Sequence, residues 1–171
     1  DSDGFPETYG GAIWIDKHDG IYVGIGLANN NDPYNYIAKF DVDGNVLWSE
    51  VCSIDSTSGS HQFHINEMQG DNLGNLYCLA NHNYNTGYGN VSCYALMKQP
   101  DSPASSTVSK LFDNYDYPMY AYGMDVKANS IVVTGEMYDG NVWNVYLAKF
   151  DSNLNLMWHL TWSPGNYNSY G

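Results

Sequence analysis

The chain has 171 residues, of which 43% are apolar and 15% aromatic, and this is enough to bury the core of one domain. With 6 Lys and Arg against 19 Asp and Glu, the formal net charge is −13, which disfavours contact with a phosphate backbone or an anionic lipid surface. The sequence has no apolar run of about 18 residues, as a membrane-spanning helix needs. We therefore expect neither nucleic acid as a partner nor membrane insertion.

An internal repeat organises the chain. The similar segments Gly20–Val23, Asn75–Cys78 and Ser130–Val133 begin at residues 20, 75 and 130, a period of 55 residues. Two periods separate Tyr36–Asp41 from Tyr146–Asp151, which have nearly the same sequence. A repeat of this length, built from short β-type segments, is typical of propeller blades or a similar array.

Short apolar and alternating runs predict four strands in each repeat, and no stretch has a helical period. We expect an all-β fold of three consecutive four-stranded antiparallel blades: residues 1–60 with a lead-in, 61–118, and 119–171 with the start of a next repeat. The predicted strands, in chain order, are Gly11–Asp16, Ile21–Gly26, Tyr34–Phe40, Asn45–Cys52, Gln62–Met68, Asn75–Asn81, Val91–Lys98, Thr107–Phe112, Ala121–Lys127, Ser130–Glu136, Trp143–Asp151 and Asn155–Trp162.

The repeat also predicts which positions correspond between blades. Trp48 and Trp158 should occupy equivalent places on outer strands. The inner strands should present apolar side chains that pack between blades, and these are Ile13, Ile15, Met124 and Val126.

This succession of segments resembles the SBBP-type β-propeller repeat. The resemblance rests on a short strand ending in Asp (Ile15-Asp16 and Met124-Asp125), a Gly-Ile-Tyr-Val strand, an Ala-Lys-Phe-Asp strand and a Gly-Asn-x-Leu-Trp strand, and it covers almost the whole chain. The second copy departs from it, because Lys98-Gln99-Pro100 replaces Lys-Phe-Asp. The resemblance implies an extracellular, cell-surface or virion location, since such repeats occur in bacterial and archaeal surface proteins and phage structural proteins.

Three blades are fewer than the 4 to 8 or so of typical closed propellers, and an open arc leaves a bare sheet at each end. The end of the chain, Tyr170-Gly171, matches Tyr122-Gly123, where a blade begins. We therefore expect either a piece of a longer propeller, which this match favours, or a six-bladed ring made with a second copy.

Antiparallel topology sends the loop between the second and third strands of each blade, and the links between blades, to one end. These segments are rich in Tyr, Asn, Asp and Gly. Turn chemistry accounts for the Asn and Gly but less easily for the tyrosines, which offer flat apolar area with a polar tip. We expect a glycan or a protein partner to bind there, through Tyr34, Tyr36, Tyr84, Tyr88, Tyr115, Tyr117, Tyr138 and Trp143.

Three carboxylates, Asp16, Glu67 and Asp125, are predicted near the ends of inner strands, where a pair could act as the acid and base of a glycoside hydrolase. A structural role of the Asp in the following turn is the favoured interpretation. The sequence has no Gly-x-Ser-x-Gly, no His-Glu-x-x-His and no phosphate-binding Gly loop.

Metal sites are weakly indicated. Asp41 and Asp43 resemble the start of a calcium loop but lack a distal Glu, so that a hairpin turn is favoured. His61 and His64 fall on opposite faces of a strand, and the other histidines have no partner at metal-binding spacing. The three cysteines form no zinc or disulfide pattern, although a cross-strand pair of Cys78 and Cys93 stays open.

The sequence thus favours a non-catalytic module of a surface-exposed or virion structural protein, with a scaffolding role or a glycan- or protein-binding role. No cofactor is expected. Its other partners would be adjoining blades or its own copies. The alternative is a secreted propeller enzyme that acts on polysaccharide through axial carboxylates.

Overall fold

A computed structural model describes residues 7–28, 35–52, 61–85, 90–100, 107–112 and 117–163. Twelve β-strands in these residues form three separate four-stranded antiparallel sheets, none closed into a barrel. The described part of the chain contains no helix, and so none that could span a bilayer. The predicted all-β fold of three four-stranded blades is confirmed.

In every blade the four strands pair in chain order, and the first is the inner strand. Blade 1 contains β1 (Glu7–Ile15), β2 (Ile21–Ala28), β3 (Asn35–Phe40) and β4 (Val46–Cys52). Blade 2 contains β5 (His61–Gly70), β6 (Leu76–Asn85), β7 (Asn90–Gln99) and β8 (Val108–Phe112). Blade 3 contains β9 (Met119–Lys127), β10 (Ser130–Tyr138), β11 (Trp143–Asp151) and β12 (Leu156–Trp162).

Blades 1 and 3 share their register in detail. Trp48 on β4 lies opposite Lys39, and Trp158 on β12 lies opposite Lys149. The pairing shifts immediately after each of these lysines, so that the two outer strands carry the same irregularity. The predicted equivalence of the two tryptophans is therefore confirmed.

Side chains of blade 2 form hydrogen bonds with the inner strand of blade 3. Gln69 Nε2 donates to Met124 O (2.9 Å), and Gln69 Oε1 accepts from Val126 N (2.8 Å). The Glu67 carboxylate accepts from Met124 N. Blade 2 thus supplies side-chain partners for backbone groups of Met124 and Val126, which protects an edge of the blade 3 sheet.

The junction between blades 1 and 2 depends on close approach of the two inner strands, and the hydrogen bonds from Lys17 Nζ to Asn72 O (3.4 Å) and from Gln99 Nε2 to Glu50 Oε2 (3.3 Å) also cross it. The indole ring of Trp14 lies over Gly70, so that a Cβ atom at position 70 would overlap it. The Ile65 carbonyl similarly occupies the space that a Cβ atom at Gly11 would need. Glycine is therefore required at both positions.

Two apolar cores fill the spaces between the blades. Between blades 1 and 2, the core includes Tyr22, Ile37, Cys78 and Met97. Between blades 2 and 3, the core is built by Tyr77, Leu79, Tyr94, Leu96, Met124, Ile131, Val133, Tyr146, Ala148 and Phe150. Each sheet of this array is stabilised by the blade that covers its face.

Two expectations require correction. Met124 and Val126 pack between blades, but Ile13 and Ile15 of the first inner strand are 66% and 58% exposed, because they lie on the outer side of blade 1. A disulfide between Cys78 and Cys93 does not form. The register places Cys78 opposite Met97 and Cys93 opposite His82, and all three cysteines are buried free thiols.

The hydroxyl groups of Tyr94 and Tyr146 lie 3.0 Å apart in the core between blades 2 and 3. Burial raises the pKa of both phenols, so that both stay protonated. Tyr146→Phe should leave the Tyr94 hydroxyl unsatisfied and lower the free energy of unfolding by about 1 to 3 kcal/mol. Urea unfolding of both single variants and the double Phe variant should give a double-variant cost below the sum of the single costs. Additive costs would contradict a coupled pair.

Candidate functional site

The antiparallel blades have two distinct ends. The end where β2, β6 and β10 finish and β3, β7 and β11 begin is called the loop end here, and the opposite end is the turn end. The loop end also receives the links between blades, because each outer strand finishes and the next inner strand begins there. Among the described residues that were predicted to bind a partner, Tyr117, Tyr138 and Trp143 lie at this end.

The structure brings three of the eight predicted binding residues together. Tyr34, Tyr88 and Tyr115 lie outside the described residues, and of Tyr84 only the backbone, paired within β6, is described. Tyr36 is half-buried within β3 opposite Ile25, on a sheet face instead of in a loop. The three that converge, all in or beside blade 3, are Tyr117, Tyr138 and Trp143.

These three side chains join Tyr120 and Tyr122 in one aromatic cluster. Ring centroids are 5.3 Å apart for Tyr138 and Trp143, and 5.8 Å apart for Tyr120 and Trp143. Tyr117 meets Tyr138 edge to face at 6.0 Å, and Tyr120 stacks on Tyr122 with nearly parallel rings. The five rings thus form a continuous chain of contacts at the loop end of blade 3.

The turn between β10 and β11 fixes this cluster. The Asp139 carboxylate accepts from the N–H groups of Asn141 and Val142 and from Asn144 Nδ2, all at 2.9 Å. These hydrogen bonds lower the pKa of Asp139, so that the carboxylate stays ionised in the turn. Because Tyr138 and Trp143 flank the turn, its rigidity determines where their rings point.

A glycine within the same turn makes room for Tyr117. Gly140 adopts φ +94°, in the left-handed region, and a Cβ atom there would lie 2.6 Å from the Tyr117 hydroxyl oxygen. A larger residue at position 140 would therefore strain the backbone and displace the Tyr117 ring. Tyr117 is 37% exposed, so that part of its ring stays available at the surface.

Tyr120 and Tyr122 hold the cluster in place from the inner strand. The Tyr120 hydroxyl donates to Ser92 Oγ of blade 2 (3.0 Å), and the Tyr122 hydroxyl donates to Glu136 Oε1 (2.6 Å). Sequence reasoning missed both residues because it searched the loops and not the strands. A usable signal was present, since four tyrosines fall between residues 115 and 122.

The carboxylates predicted near the axis have structural roles or no partner. Asp16 accepts from His18 N (2.7 Å) and Gly20 N (2.9 Å) and pairs with Lys39 at 3.4 Å. Partial burial acts to raise the pKa of Asp16, but these contacts outweigh it and lower the pKa, opposite to the change expected for a general acid. Glu67 caps the backbone of blade 3, and Asp125 is exposed.

Asp41 begins a hydrogen-bonded turn. One carboxylate oxygen accepts from Asp43 N (3.0 Å) and Asn45 N (2.8 Å), and the other accepts from Asn45 Nδ2 (2.9 Å). The same Asp-to-Asn arrangement recurs at Asp71 and Asp151. The described residues contain no group of three or more metal-ligating side chains, and calcium at Asp41 and Asp43 stays an untested alternative.

The histidines likewise make structural contacts where the structure describes them. His82 is fully buried, with its Nδ1 atom 3.7 Å from the Cys93 sulfur. The His159 ring lies 5.8 Å from that of Tyr146. His64 is exposed on β5, beside a cavity of about 340 Å³ between blades 1 and 2 that is lined by glycines, Asn35 and Asn66 and has no aromatic wall. The aromatic cluster is therefore the stronger candidate site.

The recurrent Asp turns predict a loss of stability in acid. The pKa of Asp71 is lowered: partial burial raises it, but hydrogen bonds from Asn75, Leu73 and Tyr77 outweigh this. A lowered pKa in the folded state adds stability above the unfolded value, near pH 4, and this stability is lost as pH falls through the folded pKa. Asp71→Asn should cost about 1 kcal/mol at pH 7 and weaken the pH dependence below pH 4, as urea unfolding can measure. Asp43→Asn is the control, because Asp43 contributes its backbone N–H to its turn; an equal effect there would contradict the prediction.

Comparisons with known proteins do not assign the chain to a family. A scan against protein-family models finds no match, and a search of curated proteins finds no relative. The resemblance to the SBBP-type repeat therefore stays a prediction from the sequence.

Proposed function

We propose that the chain is a non-catalytic module of a surface-exposed or virion structural protein, and that its aromatic cluster binds a neutral glycan. The carrying observation is the convergence of Tyr117, Tyr120, Tyr138 and Trp143 at the loop end of blade 3. The location outside the cell follows from the repeat resemblance alone.

The chemistry of the cluster suits a sugar. Pyranose rings have a face of C–H groups that packs against aromatic rings and a rim of hydroxyl groups that need hydrogen-bond partners. Tyr117 and Tyr138 offer both a ring and a hydroxyl, and the exposed Asn141 of the adjoining turn offers a donor and an acceptor. The net charge of −13 disfavours anionic glycans and so favours neutral ones.

The carboxylates weigh against the polysaccharide-cleaving alternative. A glycoside hydrolase needs two carboxyl groups across one bond, with the acid held protonated by a raised pKa. Asp16 instead has a lowered pKa and is occupied by its turn and by Lys39. Glu67 is occupied by the Met124 backbone. No arrangement of the described residues favours catalysis as a second function.

Substitution in the cluster tests the proposal. A panel of neutral oligosaccharides should contain at least one ligand of the intact protein, measured by calorimetry. Trp143→Ala and Tyr138→Ala should each lower the affinity for that ligand about 30-fold, because aromatic anchors of binding sites contribute about 2 kcal/mol each.

Trp158→Ala is the matched control, since Trp158 is an exposed tryptophan of the same blade outside the cluster. The Trp158→Ala variant should bind the glycan with the affinity of the intact protein. Absence of any neutral glycan ligand would overturn the proposal, as would binding that survives loss of both Tyr138 and Trp143. If instead a protein partner binds and its binding depends on these two residues, the ligand of the cluster is a protein and the glycan proposal is wrong.

A further inference from the structure

The outer face of blade 3 repeats the positions by which blades 1 and 2 each contact the following blade. This leading face is formed by Val132, Thr134, Val145, Leu147, Trp158, Leu160 and Trp162. Register places Val132 where Tyr77 lies in blade 2, and Thr134 where Leu79 lies. Tyr77 and Leu79 are buried against blade 3, whereas Trp158, Leu160 and Trp162 are 42%, 45% and 58% exposed.

Trp48 shows what covers such a tryptophan. It holds the position of Trp158 in blade 1, meets the Tyr22 ring edge to face at 5.9 Å and packs against the core between blades 1 and 2. Trp158 has the same register but no following blade among the described residues. The two tryptophans thus share a register and differ in whether the described residues include a blade beside them.

The outer face of blade 1 has the complementary pattern. This trailing face is formed by Ile13, Ile15, Ile21, Val23, Tyr36, Phe40 and Val51. Ile13 and Ile15 hold the positions of Met124 and Val126, and Phe40 holds that of Phe150. Those counterparts in blade 3 pack against blade 2. Blade 1 thus carries the kind of face that a preceding blade covers.

Two polar groups on blade 3 repeat groups that bridge blades 2 and 3. Asn81 Oδ1 accepts from Ala121 N (2.9 Å), and Lys98 Nζ donates to Ser152 O (3.1 Å). Glu136 holds the position of Asn81, and Lys149 holds that of Lys98.

One carboxylate oxygen of Glu136 has no hydrogen-bond donor among the described residues. Glu136 is 6% exposed, and the oxygen without a partner is Oε2. A buried acceptor without a partner is costly, so this oxygen indicates a missing donor. In blade 1, the position of Ala121 is held by Gly10 and that of Ser152 by Val42.

We propose that the leading face of blade 3 docks onto the trailing face of blade 1 of a second copy of this chain. Glu136 accepts from the Gly10 N–H of that copy, and Lys149 donates to its Val42 carbonyl. Two such contacts between two copies make a ring of six blades, within the usual range of about 4 to 8, and cover both outer faces. This inference does not require glycan binding, although it shares Glu136 with the aromatic cluster, since Glu136 Oε1 accepts from Tyr122.

Light scattering over a range of protein concentrations tests the docking. The intact chain should show twice the 19.1 kDa of one copy. Leu160→Asp on the leading face and Ile15→Asp on the trailing face should each give the single mass, with an unchanged far-ultraviolet circular dichroism spectrum. Leu73→Asp is the control, because Leu73 is 81% exposed in a turn away from both faces, and its variant should keep the double mass.

The buried acceptor gives a second readout. Glu136→Leu should raise the dissociation constant of the two-copy complex about tenfold. Glu136→Gln, which keeps an acceptor oxygen, should raise it less. A single mass for the intact chain at every concentration overturns the proposal. A double mass that persists in the Leu160→Asp or Ile15→Asp variant also overturns it. The same holds if Leu73→Asp lowers the mass as much as the two face variants do. Glycan affinity should not change in Leu160→Asp, which separates this test from that of the aromatic cluster.

Discussion

Each blade of this protein is one sheet thick and carries apolar side chains on both faces, so that no blade can bury its own core. Stability must come from stacking, and the structure shows this in blade 2, whose β6 strand is fully buried from Leu76 to Ala80 between two neighbours. Successive residues of that strand contribute to different cores, with Tyr77 facing blade 3 and Cys78 facing blade 1. Because side chains of a strand alternate between its two faces, each strand of blade 2 can pack against both neighbouring blades.

Stacking alone would let blades slide, and the backbone contacts at the inner strands oppose this. Gln69 makes two hydrogen bonds to β9, one as donor and one as acceptor. These two bonds fix the position of blade 3 along blade 2. The glycines at Gly11 and Gly70 act differently at the other junction, where they allow Ile65 and Trp14 to approach closely. Both junctions combine an apolar core with hydrogen bonds, but hydrogen bonds to the inner-strand backbone are described for blades 2 and 3 and close glycine contacts for blades 1 and 2.

The aromatic cluster depends on this framework. Tyr120 belongs to the inner strand of blade 3 and is anchored on Ser92 of blade 2, whereas Tyr138 and Trp143 flank a turn fixed by Asp139. The geometry of the aromatic cluster therefore requires two stacked blades as well as one well-formed turn. Placement on strand ends and a rigid turn gives the rings defined positions before any ligand arrives, which lowers the entropic cost of binding.

The sequence by itself determined the repeat, the twelve strands and their division among three blades, because spacing and alternation are local properties. It also determined that Trp48 and Trp158 are equivalent. The 55-residue period also aligns Asp16 with Asp71, a counterpart that the grouping of Asp16 with Glu67 overlooked, and the turn hydrogen bonds of the two aspartates agree with that alignment. The sequence could not show that Tyr120 and Tyr122 join Trp143, or that Ile15 is exposed while Val126 is packed. The aromatic contacts join β9 to the start of β11 within one blade, whereas the exposure of Ile15 and the packing of Val126 depend on which blade lies against each face. Both are contacts between residues distant in sequence, so only the tertiary structure decides them.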